Sequence, residues 1–355
     1  MLHLRYSQRF LGFNFPARTS RGALAGHTAW YLHLTHSNHP AVSGLGEAAP
    51  LAGLSPDYGP GFAGAVASLC ERMNAARLDS LALAEVPALV GSGWPALTFA
   101  LETAVLDLAN GGQRQLYTNA FSQGKVALPI NGLVWMGDAG FMREQIQQKL
   151  AAGYACLKLK IGSLDFATEL AILAEIRAVA GPEQLTLRVD ANGAFTPADA
   201  PRQLAQLAGL GLHSIEQPLA AGQTAALAAL CRTTPLPIAL DEELIGVTGP
   251  AQQVALLDEI RPAYIVLKPT LLGGHAATRH WIALAEARGI GWWLTSALES
   301  NVGLNAVAQL TGEYDVRGFP QGLGTGQLYL NNVEAPLQVG GGELRYNPDG
   351  AWELP

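Results

Sequence analysis

From residue 155 onward, short apolar runs ending in one polar residue recur every 25 to 30 residues, and no other property of the chain limits its fold so strongly. The runs are ACLKLK (155–160), LTLRVD (185–190), HSIE (213–216), PIALD (237–241), AYIVLK (263–268) and GWWLT (291–295); VALPIN (126–131) precedes them and a weaker run near FPQGL (319–323) follows. Between them lie Ala- and Leu-rich stretches of helical spacing, such as FATELAILAEIRAVAG and ATRHWIALAEARGIG. Thr196 before Pro197 reads as an N-cap followed by proline at the first helical position, and the glycines after LAA, LAG and EAR suit C-caps. A β/α unit with short loops has this length, and eight in a row favour a closed α/β barrel of TIM type over an open doubly wound sheet.

Residues 1–125 lack the rhythm. RYSQRF and TAWYLHLTH alternate apolar and polar as strands do, while AGAVASLCERMNAAR and PALTFALETAVLDLAN have helical spacing, so this part reads as a separate α+β unit. The barrel is then expected over 126–323, and the strand-like, turn-rich segment 324–355 is expected to return to the N-terminal unit.

Composition narrows the function classes. With 49% hydrophobic and 14% charged residues the chain excludes intrinsic disorder. A net charge of −7, with the basic residues scattered singly, offers no stripe for nucleic acid or an anionic membrane. The start MLHLRYSQRF is no signal sequence, and no apolar run reaches the roughly 18 residues of a membrane span, so a cytoplasmic protein is expected. Cys70, Cys156 and Cys231 stand far apart without a C-x-x-C pair and read as small buried hydrophobes. Of 22 basic residues only 5 are lysine, yet Lys158, Lys160 and Lys268 all fall within apolar runs. Lysine loses its proton when buried and arginine does not, so the choice of residue points to chemistry.

Asn131, Lys160, Asp190, Glu216, Asp241, Lys268 and Thr295 each end an apolar run, and a parallel barrel gathers such positions into one mouth. Residues two apart on a strand face the same way, which adds Lys158 beside Lys160 and Arg188 beside Asp190. A single Asp after a strand is ordinarily a surface carboxylate. Three at matching strand ends cannot stay ionised together in a desolvated cavity unless a cation offsets their repulsion. Hard oxygen ligands of this kind suit Mg²⁺, with Mn²⁺ as the alternative. A lysine tuned by such neighbours can remove a proton α to a carboxylate. Arg188 would orient Asp190 or hold a substrate carboxylate, and the small polar segment Thr19–Gly22 would read the far end of the substrate through Arg21.

The motifs LKLKIG (157–162), RVDANGAF (188–195), IEQP (215–218), ALDEEL (239–244), VLKPTLLGG (266–274) and LTSALESNVGLNA (294–306) resemble the enolase superfamily, in its branch with lysine bases. PINGLVW (129–135) and GLGTGQLYLNN (322–332) are similar to the o-succinylbenzoate synthase family within it, and TSRGAL (19–24) and GLGEAAPL (44–51) to the loops of its capping domain. The resemblance implies a modified (β/α)7β barrel under a capping domain completed by the C-terminal segment. It implies Mg²⁺ on Asp190, Glu216 and Asp241, Lys160 as acid and base, and Lys268 across the substrate. Lys158, Ser296 and Gly324 would complete the site. The substrate would be a small carboxylate, the cyclohexadiene precursor of 2-succinylbenzoate in menaquinone synthesis, losing water. Homo-oligomerisation is left open. The same barrel residues serve dipeptide epimerases and N-acylamino acid racemases, but the Asp-x-Asp pair frequent in those is missing from LTSALES. A metal-binding protein without catalysis would have no use for three lysines beside three carboxylates.

Two further patterns point elsewhere and are weaker. His33, His36 and His39 lie where a strand runs into a turn and do not share a face. GPGFAG (59–64) has the glycine spacing of a dinucleotide loop but contains Pro60 and follows no strand.

Overall fold

The computed structural model describes residues 1–19 and 22–355, and the side chains outside 15–23. The N-terminal part is a three-stranded antiparallel sheet of β1 (Leu2–Thr19), β2 (Gly22–His36) and β3 (His39–Ala48), backed by α1 (Phe62–Ala76), α2 (Val86–Val90) and α3 (Pro95–Ala109). Leu4, Leu32 and Leu34 meet Val66, Leu69 and Leu101 between the two layers. Each such side chain contributes about 1.5–3 kcal/mol by leaving water. Helix α3 lies so close to β3 that a Cβ on Gly44 or Gly46 would come within 2.0 or 1.8 Å of the Ala104 or Ala100 carbonyl oxygen. That close approach explains the glycines of GLGEA, which form a strand and not the loop that their resemblance to the capping-domain loops implies.

The barrel strands are β5 (Gly132–Val134), β6 (Cys156–Lys160), β7 (Thr186–Asp190), β8 (Ser214–Glu216), β9 (Ile238–Leu240), β10 (Tyr264–Leu267) and β11 (Gly291–Leu294), all parallel and in sequence order. The weak eighth run closes the ring: Gln321 bridges to Ile130 and Gly322 to Thr295. Helices α4 (Ala139–Ala151), α5 (Phe166–Val179), α6 (Ala200–Ala208), α7 (Thr224–Thr233), α8 (Pro250–Ile260), α9 (Pro269–Leu272), α10 (Gly274–Glu286) and α11 (Asn301–Thr311) fill the connections. The result is a (β/α)7β barrel with a capping domain.

Two local expectations shift. Leu128–Pro129 forms a short strand, β4, which pairs with the tail hairpin β12 (Leu337–Gly340) and β13 (Glu343–Tyr346), so the first barrel strand starts at Gly132. Helix α6 begins at Ala200 because Thr196 caps a turn instead, its hydroxyl accepting from Asp199 N at 3.2 Å while Pro201 sits at the helix start. The tail also touches the capping sheet: Tyr329 bridges to Phe13, Asn331 Oδ1 accepts from Gly12 N at 2.9 Å, and Arg9 pairs with Glu353 at 2.7 Å. Cys70, Cys156 and Cys231 are free thiols. Among the described residues no helix is long and apolar enough to cross a membrane.

Candidate active site

The register of the parallel strands sets the site. Lys160 lies level with Asp190, and Asp190 level with Glu216, on three adjacent strands, while Asp241 and Lys268 directly follow β9 and β10. The backbone turns into the left-handed region just past two of these ends, at Asn192 (φ 43°) and Gln217 (φ 39°). The Gln217 side chain then ties the next strand end in place, its Oε1 accepting from Asp241 N at 3.1 Å.

Three ammonium groups face three carboxylates, and all six side chains are largely withdrawn from water. Lys158 Nζ stands 3.0 Å from Asp190 Oδ2 and 2.6 Å from Glu216 Oε2. Lys160 Nζ donates to Asp190 Oδ2 at 3.1 Å and to Asn192 Oδ1 at 2.8 Å, and Lys268 Nζ donates to Asp241. Glu216 Oε2 is thus held by Lys158, while the buried Oε1 has no partner among the described residues. Among the described residues no three His, Cys, Asp or Glu side chains surround one point as ligands would. The carboxylates turn to the lysines.

Electrostatics follow from this pairing. Burial favours the neutral form of Lys158, but Asp190, Glu216 and Asp241 outweigh it and hold the ammonium charged. Lys268 is likewise raised, its desolvation overcome by Asp241 and Glu216. Burial pushes Asp190 up, yet Lys158, Lys160 and Lys268 carry it below the usual carboxylate range. Glu216 is pushed well above that range, by burial first and by Asp190 second. In the contest between burial and countercharge over Lys158 and Lys268, countercharge wins.

Lys158, Lys160, Asp190 and Lys268 line one partly enclosed cavity. An apolar cluster supplies much of the remaining lining, Leu24, Leu51 and Leu54 of the capping domain with Leu133, Trp135 and Leu298 of the barrel. Asn131 and Thr295 both line it, and Asn131 Oδ1 and Thr295 Oγ1, although buried, have no hydrogen-bond partner among the described residues. Gly324 lines it too, where a Cβ would stand 3.4 Å from Ile130. Asn131 precedes the first barrel strand instead of ending one, because β4 pairs outward.

One expectation is corrected. Arg188 does not reach the cavity: it is 2% exposed, stacked between Trp293 (4.4 Å) and Phe319 (4.7 Å), and donates to the Pro320 carbonyl at 2.7 Å. Its place two residues before Asp190 puts it one layer down inside the barrel, where aromatic faces take the guanidinium. Ser296 lines the cavity, but its hydroxyl donates to Glu299 Oε2 (2.6 Å) and accepts from Thr325 Oγ1 (2.8 Å) and Leu298 N (3.1 Å), which exhausts its capacity. Arg21 lies outside the described residues.

Sequence reasoning missed Asn192 and Glu242, both on the cavity wall and joined by Asn192 Nδ2 donating to Glu242 Oε1 at 3.0 Å. The Asn-Gly pair after the β7 strand end was the available signal, since asparagine tolerates the left-handed turn. The apolar wall is assembled from segments distant in sequence, Leu24 on β2 and Leu133 on β5 among them, so no local pattern marks it.

Comparison with known proteins agrees with this architecture. The enolase C-terminal domain-like family matches residues 141–345. An o-succinylbenzoate synthase of Desulfotalea psychrophila is 47% identical over 367 residues, covering 97% of this chain and 98% of that one. The crystal structure of MenC from Desulfotalea psychrophila superposes with a TM-score of 0.84 at 45% identity, covering 97% of this chain and 99% of that one. A substrate complex of the L-Ala-D/L-Glu epimerase of Bacillus subtilis shares the fold, with a TM-score of 0.83 at 22% identity over 97% of this chain and 96% of that one. The chain belongs to the enolase superfamily, and within it to the o-succinylbenzoate synthase family of lyases.

Proposed function

We propose that the protein dehydrates 2-succinyl-6-hydroxy-2,4-cyclohexadiene-1-carboxylate to 2-succinylbenzoate, with a divalent cation, Mg²⁺ or alternatively Mn²⁺. The observation that carries this reading is one cavity lined both by lysine and carboxylate groups and by a cluster of hydrocarbon side chains, which suits an apolar ring bearing carboxylates. Asp190, Glu216 and Asp241 would hold the cation. The donor chemistry fits it: buried carboxylate oxygens at neighbouring strand ends are the ligand type Mg²⁺ takes, and the buried Oε1 of Glu216 has no partner among the described residues, while Oε2 is paired with Lys158. When bound, the cation supplies positive charge at the substrate carboxylate.

Lys160 is the acid and base. Neutral, its Nζ takes the proton from the carbon bearing the carboxylate. The same ammonium then gives a proton to the hydroxyl leaving from the neighbouring carbon, on the same face, and the ring becomes aromatic as water departs. Asn192 and Asp190 aim Nζ. Lys268, held charged by Asp241 and Glu216, stabilises the negative charge that develops between the two steps. Lys158 neutralises Asp190 and Glu216. Asn131 and Thr295 offer free polar atoms to the substrate, Arg21 is proposed for the succinyl carboxylate, and Gly324 leaves room for the ring.

The test is turnover of the purified protein with the cyclohexadiene and Mg²⁺, read as loss of diene absorbance; no turnover overturns the reading. That Lys160 and Lys268 line one cavity favours one second reading, a two-base racemase or dipeptide epimerase. Deuterium exchange at the α carbon of an N-acylamino acid, faster than dehydration, would establish it.

A further inference from the structure

Leu298 occupies a left-handed backbone conformation, φ 67°, in the loop after β11. A non-glycine residue there costs about 1–2 kcal/mol, and glycine would avoid that cost. Leucine brings a side chain, and that side chain stands in the apolar wall of the cavity.

The strained peptide is held from three parts of the chain. The Leu298 carbonyl accepts from the Tyr329 hydroxyl, in the segment after the barrel, and from His27 Nε2, on capping strand β2, at 2.9 Å. His27 Nε2 also lies 2.8 Å from the Tyr329 hydroxyl, and Phe13 of β1 stacks on the Tyr329 ring at 4.9 Å. Leu298 N donates to Ser296 Oγ at 3.1 Å, so both ends of the residue are tied. Burial lowers His27 to about 4 and keeps the ring neutral; in the tautomer protonated at Nε2 it donates to the Leu298 carbonyl. Among the described residues His27 and Tyr329 make no hydrogen bond or ion pair with Lys158, Lys160, Lys268, Asp190, Glu216 or Asp241.

We infer that His27 and Tyr329 are positioning residues that hold Leu298 in its strained conformation, making Leu298 a specificity-determining wall of the cavity. Two ties onto one carbonyl, from the capping domain and from the tail, make the wall complete only when both have docked on the barrel. The inference rests on the proposed reaction only for its choice of ligand.

The test is a double-mutant cycle of Tyr329→Phe and Leu298→Gly, read by calorimetric binding of 2-succinylbenzoate and by the KM of dehydration. Tyr329→Phe removes one hydroxyl; Leu298→Gly removes the strain and the wall together. Each single change should raise Kd and KM about fivefold while kcat stays within about twofold, and the double variant should also lose about fivefold. A loss near 25-fold in the double variant, the product of the singles, means that Tyr329 does not act through Leu298 and overturns the inference. A crystal structure of Tyr329→Phe, together with one also carrying His27→Phe, supplies an arm independent of any ligand. Leu298 should leave the left-handed region in the doubly changed protein; φ near 67° with the wall unmoved overturns the clamp. Absence of turnover in the unaltered protein would count against the proposed reaction, while the crystallographic arm still decides the clamp.

Discussion

Glu47, at the end of β3, offers a quantitative test of how the capping domain is fastened. Its carboxylate accepts from Ser300 N at 2.7 Å, Ser300 Oγ at 2.5 Å and Gly303 N at 2.7 Å, all at the first turn of α11, and it is wholly buried. Glu47→Ala leaves three buried donors without partners. At roughly 1–2 kcal/mol each, the change should cost about 3–6 kcal/mol of unfolding free energy. The cost should depend on pH. Burial raises the Glu47 carboxyl from the ordinary 4.5 to about 7, against the pull of the Ser300 and Gly303 donors. A carboxyl raised in the folded state contributes stability that is complete below 4.5 and is lost as pH climbs through about 7. Between pH 5 and pH 8 the unaltered protein should therefore forfeit roughly 2–3 kcal/mol through this group, and the loss caused by Glu47→Ala should shrink by that amount. Urea melts of both proteins at the two pH values measure it. A destabilisation under about 1 kcal/mol at pH 5, or one larger at pH 8 than at pH 5, would refute the reasoning.

Other outcomes can be checked on the site itself. Excess chelator should abolish turnover, and Asp190→Asn, Glu216→Gln or Asp241→Asn should each remove most of it with the circular dichroism spectrum unchanged; full activity in chelator refutes the cation. Lys160→Ala and Lys160→Arg should both fall by a factor of at least about 10³, together with α-proton exchange, because guanidinium cannot serve as a base. Lys268→Arg should keep measurable turnover and Lys268→Ala far less; equal losses would remove the electrostatic role. Asn192→Ala takes away the 2.8 Å acceptor of Lys160 Nζ and should lower kcat about tenfold with KM little changed, which steady-state kinetics resolves.

The barrel was legible because each strand end repeats one physical requirement, an apolar run stopped by a polar group facing the mouth. Lys160, Asp190 and Glu216 end their strands as that rhythm demands, and Asp241 and Lys268 follow theirs by one residue. The same logic misled for Arg188, since alternation gives the face of a strand but not the depth, and two aromatic rings from β11 and the closing segment claim the guanidinium. Thr196 misled because a proline four residues past Pro197 sets the true start of α6. Ser296 was correctly placed beside the cavity, yet its exhausted valences depend on Thr325 and Glu299, which no local pattern reports. The Leu298, Tyr329 and His27 contacts span up to 302 positions, so their signal is geometric from the outset.

The joining of the tail to β1 also bears on how the chain is made. Gly12 waits for Asn331, 319 positions later, and Arg9 for Glu353, 344 positions later. At the roughly 5–20 residues per second of a working ribosome, the first strand emerges about 16–70 s before its partner segment exists. During that interval β1 has β2 on one side, β3 lies beyond, and the outer edge of the sheet is open. The exposed Phe10 and Tyr6 lie on that outer strand. The nascent capping sheet thus carries an open strand edge, with Phe10 and Tyr6 on it, for the whole of that interval.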